Sequence, residues 1–104
     1  MAQGVLTGKY LPGKKAPAGS RATDKGSGAN MIKGWLRDEV LEAVQNLKPI
    51  AEQAGLSMSQ LAIAWVLQNP NVSTAIMGAT KPKQVKENVK AAGVKLDAEV
   101  MKAI

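Results

Sequence analysis

The segment Val72-Ser-Thr-Ala-Ile-Met-Gly-Ala-Thr-Lys-Pro82 decides how this 104-residue chain is interpreted. Residues 72–77 are short, apolar and β-branched at one end, which predicts a buried strand. Gly78 and Ala79 then suit a tight turn, Thr80 suits a helix N-cap, and Pro82 suits a first helical turn because its missing N–H costs nothing there. We therefore expect a helix over 81–92, with Val85 and Val89 pointing inward. Its N-terminus is a candidate anion site, although a plain strand-to-helix turn would have the same spacing.

Helices are predicted on both sides of this segment. Apolar residues recur every three or four positions over 37–54, and we expect Pro49 to kink or divide this helix and Gly55 to end it. Ser57 and Gln60 form a capping-box pattern that opens a helix over 57–68. Since residues 61–67 are apolar on every face, that helix requires burial on more than one side. A last helix is predicted over 97–104.

The first third of the chain has a different character. Residues 1–10 are typical of the end of a strand that leads into a glycine-containing loop. Residues 11–34 are rich in Gly, Pro, Ser, Ala and Lys and have no apolar periodicity, which predicts a long lid-like loop. One good strand and one partial strand cannot form a stable sheet by themselves. The sequence therefore predicts part of a larger α/β protein.

Composition excludes several classes of function. The chain has no cysteine and no histidine, which excludes disulfides, thiol nucleophiles, a histidine base and the usual zinc sites. We predict no metal site. No apolar run reaches the length of a membrane span and the N-terminus lacks a signal-peptide pattern, so we expect a cytoplasmic location.

The formal net charge of +6 raises the possibility of a nucleic-acid partner. The basic residues form two zones, before Pro49 and after Thr80, which suits a small phosphate-bearing ligand as well as a polymer; charge for solubility alone is the alternative. Residues 51–61 fit a helix-turn-helix outline, but the following helix has no polar face to contact bases. We therefore do not expect nucleic acid as a partner.

Three segments resemble the aldo-keto reductase family. They are Ala2–Tyr10 (AQGVLTGKY), Gly55–Trp65 (GLSMSQLAIAW) and Ile76–Thr80 (IMGAT), the last followed by Gln84, Glu87 and Asn88. They stand in the family's order and spacing, and the branch that contains potassium-channel beta subunits and bacterial relatives is the most similar. The resemblance implies the C-terminal part of a (β/α)8 TIM barrel, with the end of strand 7, strand 8 and their helices, mostly helical when taken alone.

The resemblance also implies an NADP(H) site. The family reduces carbonyl groups reversibly by hydride transfer from NADPH. Ala2, Gln3 and Gly4 would line the pyrophosphate and nicotinamide region. Arg21 and Lys9 would pair with phosphate, Arg21 near the adenosine 2′-phosphate. Nearer the C-terminus, Gly78 would let the backbone approach the cofactor closely, and Thr80 would stand where the family usually has serine. Gln84, Glu87 and Asn88 would hold the adenosine end.

The family's catalytic tetrad of aspartate, tyrosine, lysine and histidine lies on earlier strands and has no match here. Tyr10 and Lys9 belong to the loop motif instead, so no catalytic residue is predicted and the chain alone is expected to be inactive. A carbonyl substrate would bind only together with the missing part of the barrel. The alternatives are a non-catalytic module that completes a barrel with a partner chain or self-associates as a homo-oligomer, and a basic nucleic-acid binder.

Overall fold

The computed structural model describes residues 1–104, and they form helices and turns with no β-strand. The chain divides into two units, residues 1–48 and 49–104. The expectation of a mostly helical chain is therefore confirmed. No helix has both the length and the apolar character needed to cross a membrane.

The first unit is built from short helical segments. Its α-helices are α1 (Gly28–Ile32) and α2 (Asp38–Asn46), and its 3-10 segments are Ala2–Thr7, Arg21–Thr23 and Lys33–Trp35. Both α-helices contact the segment Ala2–Thr7, and α1 also contacts Arg21–Thr23. Asp38 and Glu39 lie in the first turn of α2, where the helix dipole favours negative charge.

The strand end predicted over 1–10 is wrong for this structure. Ala2–Thr7 forms a kinked 3-10 segment, in which Ala2, Gln3 and Gly4 have φ values of 43°, 58° and 97°. A strand needs a neighbouring strand for its backbone hydrogen bonds, and none is present. The segment bonds locally instead, with the Gly4 amide 2.9 Å from the Met1 carbonyl and the Gly8 amide 3.0 Å from the Val5 carbonyl.

The lid-like loop predicted over 11–34 contains more structure than expected. It includes the 3-10 turn Arg21–Thr23 and all of α1. The Asp24 carboxylate accepts hydrogen bonds from the Gly26 and Gly28 amides at 3.2 and 3.0 Å, which supports the first turn of α1. A helix of five residues is too short to show an apolar period, so the pattern gave no sign of it.

The second unit consists of four α-helices and one 3-10 turn. They are α3 (Lys48–Gln53), which begins at the last residue of the first unit, α4 (Met58–Leu67), α5 (Pro82–Asn88), the turn Val89–Ala91 and α6 (Ala98–Ala103). One face of α4 packs on α5 and on Val89–Ala91. The core there is formed by Ile63, Ala64 and Ala91.

Local signals for the helix ends are confirmed. Leu47 separates α2 from α3, whose second residue is Pro49, and Gly55, at φ 68°, follows the end of α3. The capping box is present, because the Ser57 hydroxyl accepts from the Gln60 amide at 3.2 Å and the Gln60 side chain accepts from the Ser57 amide at 3.0 Å. Each of these features depends on a few consecutive residues.

The strand predicted over 72–77 is absent, because residues 72–79 have no regular secondary structure. The side chains still alternate as in a strand: Ala75 and Met77 pack against the core of the second unit, while Ile76 between them is 98% exposed. A ladder requires a second strand, and the chain provides none. The predicted helix over 81–92 ends earlier, with α5 giving way to the 3-10 turn Val89–Ala91.

The burial expected of two helices is incomplete. Trp65 and Val66 of α4 are 48% and 38% exposed, although we expected that helix to be buried on more than one side. Val85 and Val89, which we expected to point inward, are 54% and 62% exposed. The helical partners α5 and Val89–Ala91 cover one face of α4, so its apolar surface exceeds what they bury.

Candidate functional site

Four predicted site residues of the first unit come together in what we call the Gln3 cluster: Gln3, Gly4, Lys9 and Arg21. The Arg21 guanidinium donates from Nη1 to Gln3 Oε1 at 2.6 Å, across 18 residues of sequence. A Cβ placed on Gly4 would lie 3.5 Å from Lys9 Nζ, so the ammonium group lies close to the Gly4 backbone. Two cations thus flank one short backbone segment.

The electrostatic character of the Gln3 cluster is positive. Lys9 and Arg21 are exposed, and the ion pair within the first unit joins two other residues, Arg37 and Glu39, at 2.8 Å. Neither cation forms an ion pair with a carboxylate of the first unit. Exposed cations without a carboxylate partner can bind an anion such as a phosphate group. Ala2, which is also predicted to line the pyrophosphate region, belongs to the same 3-10 segment as Gln3 and Gly4.

Three residues at the start of α5 form what we call the Gln84 cluster: Thr80, Lys81 and Gln84. Gln84 Oε1 accepts hydrogen bonds from the Thr80 amide at 2.7 Å, the Thr80 hydroxyl at 3.2 Å and the Lys81 amide at 3.2 Å. The predicted N-cap is corrected here, because Lys81 occupies that position and the Gln84 side chain reaches back to the preceding turn. All three side chains are exposed.

The remaining predicted residues of the second unit differ in accessibility. Gly78 is exposed, and a Cβ placed on it would meet nothing within 4 Å, so there is open space beside this part of the backbone. The Glu87 carbonyl accepts a hydrogen bond from Gln60 Nε2 at 2.9 Å, which ties the last turn of α5 to α4. Asn88 is buried, with 9% of its surface exposed.

The structure therefore groups the predicted residues by unit, with Gln3, Gly4, Lys9 and Arg21 in one and Thr80 and Gln84 in the other. The sequence did not indicate the long-range bonds of glutamine side chains, such as the bond from Gln60 to the Glu87 carbonyl, since a bond between distant residues leaves no local pattern. No group of three or more acidic, histidine or cysteine side chains could hold a metal ion. The arrangement offers hydrogen-bond donors and cations for an anionic ligand.

Comparison with known proteins identifies the family. The model of the aldo/keto reductase family matches residues 1–104. A probable voltage-gated potassium channel subunit beta from Oryza sativa subsp. japonica is 50% identical over 94 residues, which are 90% of this chain and 28% of that protein. A putative subunit of the same name from Schizosaccharomyces pombe is 47% identical over 104 residues, covering 97% of this chain and 30% of that protein.

An enzyme is also among the relatives. The L-glyceraldehyde 3-phosphate reductase of Escherichia coli strain K12 is 38% identical over 95 residues, which are 88% of this chain and 26% of that protein. The chain thus spans less than a third of the length of each of these relatives. Because the family model covers the whole sequence, the chain belongs to the aldo/keto reductase family.

Proposed function

We propose that this chain provides the NADP(H)-binding C-terminal part of an aldo-keto reductase barrel. In this role Ala2, Gln3 and Gly4 line the pyrophosphate and nicotinamide region, and Lys9 and Arg21 pair with phosphate, Arg21 near the 2′-phosphate. Gly78 allows close backbone approach, the charged end of the cofactor rests on Thr80, and Gln84, Glu87 and Asn88 hold the adenosine end. A complete barrel of this kind reduces aldehydes or ketones by hydride transfer. The reductase among the relatives supports that reaction class.

The observation that carries the proposal is the Gln3 cluster. The 2.6 Å bond joins the Arg21 guanidinium to the Gln3 side chain, and the Lys9 ammonium lies beside the backbone of the next residue, Gly4. An arginine can bind a phosphate through two parallel hydrogen bonds, whereas a lysine acts as a point charge. The pair therefore suits a ligand with more than one phosphate group, such as a dinucleotide. The additional 2′-phosphate that distinguishes NADPH from NADH is the group we assign to Arg21.

The Gln84 cluster supports the adenosine side of the proposal. Thr80 presents an exposed hydroxyl, and Gly78 leaves open space beside its backbone. The Gln84 oxygen already accepts three hydrogen bonds from the Thr80–Lys81 segment, while its amide nitrogen remains a donor for a ribose or adenine acceptor.

The chain alone is expected to lack reductase activity. Hydride transfer needs the nicotinamide, the carbonyl carbon and a proton donor held within about 3.5 Å of one another. The only tyrosine, Tyr10, is 2% exposed, and there is no histidine. Steady NADPH oxidation by the pure chain with an aldehyde would contradict this expectation.

The cofactor proposal is tested by titrating the chain with NADPH and with NADH while recording the fluorescence of Trp35 and Trp65. We expect tighter binding of NADPH, and we expect Arg21→Ala to weaken NADPH binding about tenfold, or about 1.4 kcal/mol, with little effect on NADH. Arg37→Ala removes the same charge from a residue paired with Glu39 and serves as the matched control. Equal affinity for both cofactors, or equal losses in both variants, would contradict the proposal.

A second candidate function is an interaction module that completes a barrel with a partner chain or with another copy. The supporting observation is the segment 72–79, which keeps the alternation of a strand without a paired neighbour and leaves Ile76 98% exposed. An unpaired strand-like edge is a template for association. Two of the relatives are described as channel subunits, which is consistent with a role in assembly. Sedimentation that shows a monomer at every concentration would count against self-association.

A further inference from the structure

One side chain holds the backbone on both sides of Lys9. Gln45, on α2, donates from Nε2 to the Gly8 carbonyl at 3.3 Å and to the Tyr10 carbonyl at 3.1 Å. A primary amide carries two hydrogens on its nitrogen, so it can serve both carbonyls at once. The two bonds join residues that lie 37 and 35 positions apart in the sequence. They therefore fix the direction of the backbone immediately before and after Lys9.

The Lys9 side chain is confined as well. Its Nζ lies 5.3 Å from the centroid of the Tyr10 ring, within the range of a cation–π interaction. The Tyr10 side chain is 2% exposed and so provides a fixed surface. Gly8, at φ 73°, adopts the left-handed conformation that ends the preceding 3-10 segment. The position of the ammonium group therefore depends on the backbone that Gln45 holds.

We propose that Gln45 is a positioning residue that directs the Lys9 ammonium toward a phosphate group bound at the Gln3 cluster. The identity of the ligand rests on the proposed NADP(H) function, whereas the link between Gln45 and Lys9 rests on geometry alone. A lysine that is already held in one direction loses less side-chain entropy when it binds a phosphate. Removal of the amide thus weakens phosphate binding without removing a charge.

The test compares Gln45→Met, which is of similar length but cannot donate a hydrogen bond, with Gln68→Met. Gln68 makes bonds of the same kind, to the Val94 carbonyl at 3.0 Å and from the Leu96 amide at 3.2 Å, and serves as the control. The first readout needs no ligand: protons above the face of an aromatic ring shift upfield in NMR spectra. We expect upfield Lys9 ε-methylene protons in the native chain and in Gln68→Met, and a loss of that shift in Gln45→Met.

Retention of the shift in Gln45→Met, or its absence from the native chain, would overturn the proposal. If Gln45→Met does not fold, as judged by circular dichroism, Gln45→Asn replaces it. That variant keeps a donor but is one methylene too short to span both carbonyls, and we expect a reduced shift from it. An unreduced shift in a folded Gln45→Asn would overturn the proposal in the same way.

The second readout is the affinity for NADPH and for inorganic pyrophosphate. We expect about tenfold weaker binding of both by Gln45→Met and unchanged binding by Gln68→Met. Native affinity in a Gln45→Met chain that has lost the Lys9 shift would overturn the positioning role. If the native chain binds neither probe, the proposed cofactor function fails, while the NMR readout still decides whether Gln45 positions Lys9.

Discussion

Glutamine amides hold together backbone segments that are distant in sequence. Gln45 bonds to the segment around Lys9, Gln60 bonds to the Glu87 carbonyl, and Gln68 bonds to Val94 and Leu96. An amide has both donors and an acceptor and carries no charge, so it can satisfy buried backbone groups at a low desolvation cost. Gln45 and Gln60 thereby hold backbone next to proposed cofactor contacts without being contacts themselves, whereas Gln68 holds a segment that contains none of them.

At the residue scale, two substitutions of Gln84 are expected to affect the stability of the chain and its binding of the cofactor separately. Since Gln84 Oε1 accepts three hydrogen bonds at the start of α5, we expect Gln84→Ala to lower the free energy of unfolding by about 1 kcal/mol, as for loss of a helix cap. Gln84→Glu keeps an acceptor and adds negative charge near a helix N-terminus, so it should retain that stability. The same charge should repel the cofactor phosphates.

The measurements are urea unfolding and NADPH titration of both variants. We expect Gln84→Ala to be the less stable variant and Gln84→Glu to be the weaker binder. A Gln84→Glu chain that binds NADPH as tightly as the native chain would argue against a phosphate near this cluster.

At the scale of single elements, helix ends follow local chemistry. α4 opens with the reciprocal bonds of Ser57 and Gln60, and α6 opens with the Asp97 carboxylate, which accepts from the Val100 amide at 2.8 Å. Such caps satisfy amides that have no partner within the helix. Trp65, in the last turns of α4, is 48% exposed, so this helix forms without complete burial.

The capping box of α4 can be tested by paired serine substitutions. Ser57→Ala removes the acceptor for the Gln60 amide, and we expect it to lower the free energy of unfolding by about 1 kcal/mol. Ser59→Ala, two residues further along, should leave stability unchanged or slightly higher because alanine is the better helix former. Thermal unfolding of both variants measures the difference, and equal stability of the two would refute the role assigned to the cap.

Features that depend on a few neighbouring residues could be predicted from the sequence, whereas features that depend on distant residues could not. Pro49, Gly55 and the Ser57–Gln60 box act within one turn, and all three are confirmed. The two strands were mispredicted because a strand depends on partners that these residues do not supply. The same limit applies to the site: the resemblance suggested Gln3 and Arg21, but no local pattern could indicate that they bond to each other or that Gln45 holds the backbone around Lys9.

At the scale of the whole molecule, the second unit leaves much apolar surface uncovered. Seven large apolar side chains there are more than a third exposed: Trp65, Val66, Ile76, Val85, Val89, Met101 and Ile104. Exposed apolar surface of this extent is typical of a protein that packs against another segment. The share of the relatives' length that the chain spans, between 26% and 30%, is consistent with that interpretation.

Association through the segment 72–79 is tested at Ile76. Because this side chain is 98% exposed, Ile76→Ser should change the free energy of unfolding by less than about 0.5 kcal/mol. It should nevertheless weaken association measured by sedimentation. Met77→Ser is the contrasting variant, since Met77 packs against the core of the second unit, and it should cost about 2 kcal/mol of stability. Unchanged association of Ile76→Ser would exclude this segment as the interface.

The account depends most on the claim that the predicted residues contact NADP(H), and amide hydrogen exchange with and without saturating NADP+ tests it most directly. We expect slower exchange at residues 2–9 and 78–88 on addition of the cofactor, and unchanged exchange in α6. Unchanged exchange in both of those segments at saturating NADP+ would contradict the account.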